Sequence, residues 1–468
     1  MNLLRKKNIR TVDLSLMGEE HEGGLTRCLT GFDLTLLGIG AIIGAGIFVL
    51  TGVVAATKAG PAIVLSYIIA GLACLFSALS YAELATAIGG CGSAYAYAYV
   101  GFGEIIAWMI GWDLLLEYSI TIATVAVGWS SYLKSLLQSL SFNVVNIVRV
   151  GSTIAIDFFA LGIISVTSVL LIWGVRSSTR FNNAIVGIKL LVILIFVVVA
   201  STHIDTNNWH PFMPFGWLGV AKGASLIFFA YIGFDAVSTT AEEVVNPQRN
   251  LPIGIVGSLL VSTILYIVIS ALLTGMVPYY NLNVASPISD ALIAIGYQGM
   301  AGVISVGALA GLTTVILVLS YGLSRIFFAI ARDGLLPKYF SVLHAKTKTP
   351  MRIVVLCGIW MGVISALFPI DLLAELVNIG TLVAFTLVCL GVLILRRTQP
   401  DMHRPFKTPG MPYVPILGMV CCLYLIANLP LLTILRFVVW FAIGMVIYFS
   451  FGRKHSLLAG KAKKARGL

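Results

Sequence analysis

Four glycines fall within nine residues in the stretch Gly38-Ile39-Gly40-Ala41-Ile42-Ile43-Gly44-Ala45-Gly46-Ile47-Phe48. Every other residue there is apolar, so the groups able to do chemistry are backbone amides and carbonyls. Each glycine costs a helix interior about 1 kcal/mol relative to alanine. In lipid, freed amides and carbonyls must line a cavity or bind a ligand. A second interruption lies in Leu226-Ile-Phe-Phe-Ala-Tyr-Ile-Gly233-Phe-Asp235, where Gly233 breaks an apolar run and an acid follows. An unwound segment shows amides on one half-helix and carbonyls on the other. The amides and the positive dipole end attract a carboxylate. The carbonyls accept from an ammonium group, and an α-amino acid carries both groups close together. Glycine lets the backbone approach such a ligand with no Cβ in the way. Close helix packing is the competing account of the glycines; two breaks at matching places favour the ligand.

Charged side chains inside apolar runs are the next candidates. Lys189 sits in Ile185-Val-Gly-Ile-Lys189-Leu-Leu-Val-Ile-Leu-Ile-Phe196, roughly 12 Å along a helix from Phe181. A midspan lysine costs about 2.5–3.5 kcal/mol on insertion scales, so it should face the protein interior. Snorkelling to the membrane edge is the plainer alternative. Asp113, Glu117, Thr121 and Thr124 lie at offsets of 4, 8 and 11 from the first and share one helical face. Two readings stand for that stripe: an acid that tunes the side-chain pocket by attracting a cationic substrate group, or an internal hydrogen-bond network between helices. Asp113 is also close enough to the inner end of its helix to pair with a loop arginine. Asp235 is expected to relay protons or hold the unwound segment, with a proton-linked structural role preferred. Glu83, Glu242 and Glu243 are expected to be exposed acids near the cytoplasmic face, with inner-gate ion pairs as the alternative. The six histidines, among them His203 and His210 in an outside loop, lack metal-ligand spacing, and the seven cysteines form no CxxC pair. No metal is expected, and the cysteines read as small packing residues.

Long apolar helices must position these groups. Of the 468 residues, 59% are hydrophobic and 10% charged, against about 25% charged in a soluble domain. The expected fold is an all-α polytopic membrane protein of 12 transmembrane helices in a lipid bilayer. The approximate spans are 33–56, 61–87, 104–133, 153–174, 182–201, 219–242, 252–277, 299–330, 351–369, 372–396, 412–432 and 434–452. Pro61, Pro252 and Pro350 stand just before spans 2, 7 and 9, where a missing amide costs little. With the N-terminus in the cytoplasm, 24 of the 30 lysines and arginines lie inside, five lie outside, and Lys189 lies within a span. That asymmetry satisfies the positive-inside rule. It places both termini in the cytoplasm and the protein in the cell's inner membrane. Residues 1–32 read as a cytoplasmic lead-in and not as a cleaved signal peptide. The net charge of +11 is dispersed among helix ends and does not point to nucleic acid.

Spans 1 and 6 each open a five-span block and start from opposite sides. Residues 33–201 and 219–396 therefore read as an inverted pair, followed by two C-terminal helices over 412–452 and a basic tail over 453–468. Glycine-interrupted helices at matching positions of two inverted halves point to a transporter's midplane site. The segment Gly89–Gly103 is expected to form an interfacial re-entrant turn or helix, with its tyrosines at headgroup depth. The segment from Arg332 through Pro337 reads as an amphipathic cytoplasmic connection.

The stretch Gly38 to Phe48, the stretch Phe228 to Asn246-Pro247, Gly111-Trp-Asp-Leu-Leu-Leu-Glu-Tyr118 and Ala331-Arg-Asp-Gly-Leu-Leu-Pro337 together resemble the amino acid–polyamine–organocation (APC) superfamily. The resemblance is strongest to its cationic amino acid transporter family and bacterial ApcT-type homologues, and it runs from Leu25 to about residue 455. It implies a LeuT-type fold of 5 + 5 inverted repeats plus two C-terminal helices, and alternating-access transport of L-amino acids. Carried onto this chain, the amides of Ala45 and Gly46, with Gly44 nearby, would hold the substrate carboxylate. Carbonyls of Ile42, Phe229 and Ile232 would hold the α-ammonium, and Phe229 would cap the substrate from outside. The pocket walls around Ile43, Phe229 and Ala230 are apolar. Lys189 would stand where related sodium-coupled carriers bind sodium, between spans 1, 5 and 8. Its protonation and release would lock and unlock span 1 against span 8, which implies proton symport with no sodium requirement.

Three classes of protein compete. A secondary transporter predicts paired helix breaks, inverted blocks and an interior charge, and the sequence has all three. A channel would need a selectivity filter or charged ring. A membrane enzyme would need a catalytic constellation, and HExxH, GxSxG and nucleotide-binding Gly-Lys-Ser/Thr motifs are all missing from the sequence. A sodium-independent exchanger, or a non-transporting amino acid sensor on the same fold, remains the alternative. The expected substrates are small neutral L-amino acids, with cationic ones a further option. The driving force is a proton gradient, with no cofactor. Spans 11 and 12 lie outside the repeat and are free to serve an oligomer interface or a small membrane partner.

Overall fold

The computed structural model describes residue 5 and residues 29–88, 93–140, 142, 147–150, 154–172, 179–284, 286–344, 349–368 and 370–458. Cys28, Cys91, residues 89–92 and the tail beyond residue 458 lie outside the described residues, as do the side chains of Glu242 and Glu243.

Helix α1 (Gly31–Ile42) begins with a capping box: Asp33 N donates to Thr30 Oγ1, and Thr30 N donates to Asp33 Oδ2. These bonds satisfy two of the orphan groups of a first turn. After α1 the chain resumes as one long helical run, Gly46–Ile88. Within it, wide five-residue turns flank the short α2 (Thr51–Val54), and α3 (Ile63–Ile88) completes the run. The short α4 (Ser93–Gly101) precedes α5 (Glu104–Ser139), whose 36 residues extend about 54 Å.

A two-stranded antiparallel ribbon follows, β1 (Ile147–Val150) on β2 (Ile154–Asp157), with Ile147 opposite Asp157 and Val150 opposite Ile154. It departs from the all-α expectation, and its second strand occupies the first residues predicted for span 4. Its sequences, Ile-Val-Arg-Val and Ile-Ala-Ile-Asp, carry the β-branched residues that suit a pleated strand. Asp157 then caps α6 (Phe158–Ile172), accepting from the amides of Phe159 and Ala160 at 3.1 Å.

The remaining helices are α7 (Thr179–Ser201), α8 (Gly216–Ile227), α9 (Pro247–Met276), α10 (Pro287–Ala294), α11 (Gln298–Arg332), α12 (Met351–Leu367), α13 (Ile370–Thr398), α14 (Tyr413–Ala427), α15 (Leu431–Ile447) and the short α16 (Arg453–His455). Among the described residues eight helical runs are long and apolar enough to cross a membrane, and α1, α6, α12 and α14 are shorter apolar helices. Pro252 does not precede its helix. It lies inside α9, because left-handed Asn246 (φ 49°) starts that helix at Pro247.

The core of the bundle is α5, which packs along α11 and α13, while α9 packs along α1 and α3. Three tryptophans fasten α15 to α5. The rings of Trp112 and Trp440 stack at 4.5 Å, Trp108 stacks on Trp112 at 5.7 Å, and Trp108 Nε1 donates to Gly444 O at 2.9 Å. The tyrosines of α4 are not at an interface with lipid. Tyr95, Tyr97 and Tyr99 are all buried, and Tyr95 Oη donates to Asp333 Oδ2 at 2.8 Å. The reason is that α4 is tucked between α5, α13 and the chain after α11. In that connection Leu335 and Leu336 are buried and Lys338 is exposed.

Candidate functional site

Helix α1 stops at Ile42. Ile43 turns to extended geometry (φ −75°, ψ 95°), and the helix restarts after Ala45. The run opened by α8 loses its regular winding over Phe228–Tyr231, turns at Ile232 (ψ 133°), passes Gly233 at φ 121° and continues as tight turns over Asp235–Glu243. A residue with a Cβ is strained at that φ, which accounts for Gly233.

The two breaks face each other. A Cβ on Gly46 would overlap the Ala230 backbone, and a Cβ on Gly233 would come within 3.0 Å of Ala41. Ile42, Ile43, Gly44, Ala45, Gly46, Phe229, Ala230 and Ile232 are thereby brought into one buried cluster. The Ile42 carbonyl accepts from the Tyr266 hydroxyl at 2.8 Å, and the Phe229 carbonyl accepts from Ile232 N at 3.2 Å.

Lys189 reaches the first break from α7. It is 1% exposed, and Nζ donates to Gly40 O at 3.0 Å and Ile43 O at 2.7 Å. Its stem fills the space over Gly311 of α11, where a Cβ would meet Cε at 2.5 Å. The side chain therefore joins α7 to α11 through its stem and to the carbonyl end of α1 through Nζ. Near that helix's start, Asn183 Nδ2 donates to Asp33 Oδ1 at 2.8 Å.

The polar stripe of α5 is wholly buried. Thr121 and Thr124 donate to the carbonyls of Glu117 and Ile120 in their own helix, at 2.6 and 2.7 Å. Asp113 packs against Gly380 of α13, and its oxygens receive no hydrogen bond among the described residues. Glu117 lies within electrostatic reach of Asp235 and Asp113. Tyr118 Oη donates to Asp235 Oδ2 at 2.9 Å, connecting the stripe to the second break.

Glu83 corrects the expectation of an exposed acid. It is 1% exposed and accepts from Arg396 Nε at 2.8 Å and Nη2 at 2.9 Å, from Thr408 N at 2.8 Å, and lies 3.4 Å from Arg404 Nε. The pair ties α3 to α13 and the loop beyond it.

Sequence reasoning passed over Tyr67, Tyr231 and Tyr266, whose rings pack at 5.2–6.3 Å beside the breaks. A signal was there. Ser258, Ser262, Tyr266, Ser270 and Thr274 recur at every fourth position of α9, a polar stripe along an apolar helix.

An almost wholly helical chain of long apolar helices, with its backbone opened at two apposed breaks and a lysine Nζ lodged against one of them, is a multi-pass membrane protein. Residues 29–451 match the family described as amino acid permease, and the chain belongs to that family, within the APC superfamily. Two proteins of Bacillus subtilis (strain 168) align with nearly its whole length. The methylthioribose transporter is 48% identical over 98% of this chain and 99% of its own. The branched-chain amino acid permease BcaP is 47% identical over 98% and 99%. The cationic amino acid transporter 4, vacuolar, of Arabidopsis thaliana is more distant, at 38% identity over 86% of this chain and 68% of its own. Family and relatives are permeases and transporters, not enzymes.

Proposed function

We propose that this protein is a secondary active transporter that imports L-amino acids by alternating access and takes up protons with them. In this reading twelve helices cross the membrane with both chain ends in the cytoplasm. Residues 33–201 and 219–396 are the inverted five-span blocks, and the amides of Ala45 and Gly46 face the substrate carboxylate. The observation that carries the proposal is the Lys189 ammonium seated on the carbonyls of Gly40 and Ile43. These flank Ile42, whose carbonyl serves the substrate ammonium. Charge-assisted hydrogen bonds are roughly twice as strong as neutral ones. A protonated Lys189 thus holds the broken end of α1 against α7 and α11, and loss of the proton weakens that hold. Proton transfer at Nζ in this way changes how firmly the first break is fixed while substrate occupies it.

The test is uptake of labelled L-alanine by proteoliposomes in sodium-free buffer. An inward proton gradient drives accumulation by the wild type, and Lys189→Ala loses accumulation while keeping the chain inserted. Accumulation driven by a sodium gradient at fixed pH would sink the proposal, as would full proton-driven accumulation by Lys189→Ala. Uptake only into vesicles preloaded with amino acid identifies an exchanger, and binding without uptake identifies a sensor.

The 48% identity to a methylthioribose transporter favours a second reading, in which the substrate is a thio-sugar. Such a ligand has neither carboxylate nor ammonium, and its hydroxyls would occupy the same amides and carbonyls. Competition against labelled L-alanine separates the readings when all twenty amino acids and methylthioribose are compared at two pH values. The branched-chain permease among the relatives places aliphatic side chains beside alanine in the first set to try.

A further inference from the structure

The two breaks are tied together by a side chain that belongs to neither. Tyr266 stands in α9 and is 0% exposed. Its hydroxyl lies 2.8 Å from the Ile42 carbonyl and 2.7 Å from the Ala230 carbonyl. A phenol has one proton to donate, so it serves these two acceptors by sharing or by turns. When the proton points to Ala230, an Ile42 lone pair is open to another donor.

We propose that Tyr266 is the positioning residue for the substrate's α-ammonium group. Its hydroxyl fixes the Ile42 and Ala230 carbonyls beside each other and yields the Ile42 acceptor to a substrate N–H. The inference rests on the amino acid reading given above and adds a residue to it.

The surroundings hold the hydroxyl in place. The Tyr266 ring packs on Tyr67 at 5.2 Å and on Tyr231 at 5.4 Å. Tyr231 Oη donates to Tyr67 O at 2.8 Å. The Tyr67 hydroxyl bonds Thr51 Oγ1 at 2.6 Å, and Thr51 donates to Gly46 O at 3.2 Å. One aromatic cluster therefore grips the first break on both sides, through Tyr266 at Ile42 and through Tyr67 and Thr51 at Gly46. Lys189 takes different acceptors of the same turn, Gly40 O and Ile43 O. The ammonium-directed carbonyl and the proton-linked carbonyls are thus held by separate side chains, and removing the Tyr266 hydroxyl leaves the Lys189 bonds in place.

Tyr266→Phe keeps the ring and its packing and removes only the hydroxyl. In proteoliposomes the KM for L-alanine rises roughly tenfold, the worth of one well-made buried hydrogen bond. Vmax stays within about twofold, and the pH profile keeps its wild-type shape. Tyr231→Phe removes a hydroxyl from the same cluster that donates to the Tyr67 carbonyl and lies against Thr263 rather than reaching the Ile42 and Ala230 carbonyls, and its KM stays within about twofold of wild type. Tyr266→His retains a donor and falls between wild type and Phe, which gives a second measurement should the Phe variant assemble poorly. An unchanged KM in Tyr266→Phe would overturn the proposal, as would an equal rise in Tyr231→Phe, a shifted pH profile, or a His variant no better than Phe. If wild-type protein shows no saturable uptake of L-alanine, the amino acid reading fails first and this proposal fails with it.

Discussion

Gly44 and Gly46 are two residues apart and have different neighbours. A methyl group on Gly44 would meet Val315 Cγ2 at 3.3 Å, whereas one on Gly46 would run into the backbone of Ala230. A valine methyl can shift by a few tenths of an ångström; the backbone of the opposite break cannot move without opening the site. Gly46→Ala is therefore expected to abolish saturable L-alanine uptake and to lower the thermal unfolding midpoint in detergent. Gly44→Ala keeps the fold and costs affinity alone. Equal loss in both variants would mean that the glycines serve packing in the same way. At this scale the sequence was a good guide to what is local. Four glycines and a lone lysine in apolar runs stand out without any partner in view. It was silent on what faces them, because Tyr266 is 224 residues from Ile42 and a tyrosine in an apolar helix looks the same wherever its hydroxyl points.

Among the helices, the tie between α3 and α13 is the one that sequence reasoning misjudged. Glu83 sits near the end of an apolar run, where an exposed acid and a paired one read alike, and its partner Arg396 is 313 residues away. Glu83→Gln leaves two cations, Arg396 and Arg404, without their counter-charge and deprives Arg396 of a bidentate acceptor. Breaking a buried pair in this way costs about 3–5 kcal/mol; Arg396, 26% exposed, recovers some solvation, whereas Arg404, 5% exposed, does not. The measurement is the shift in unfolding midpoint, with Arg396→Gln in the Glu83→Gln background separating a lost attraction from a stranded charge. A double variant no less stable than wild type would show that the pair contributes specificity and not stability. Helix positions were legible because apolar length carries them. The β1–β2 ribbon was missed because β-branched residues next to an apolar helix continue its hydrophobic run.

At the scale of the whole molecule, the carboxylate of Glu104 collects distant parts of the chain. It accepts from Tyr99 at 3.2 Å, from Tyr448 at 3.0 Å and from Ser456, and its own amide donates to the Arg5 carbonyl at 2.9 Å. Leu457 N adds a bond to Asp333 O at 3.1 Å. Tyr448→Phe combined with Ser456→Ala removes two of the donors to a buried carboxylate and is expected to destabilise the protein by about 2–4 kcal/mol, read as a lower unfolding midpoint with L-alanine KM unchanged. A changed KM would mean that this junction reaches the substrate site. The same junction also constrains the path of the chain. Residues 5 and 456 meet at one residue, Glu104, the first at its amide and the second at its carboxylate, which supports their lying on the same side of the bilayer, so that everything between them returns to where it began. The twelve crossings proposed above have the even parity that this contact calls for.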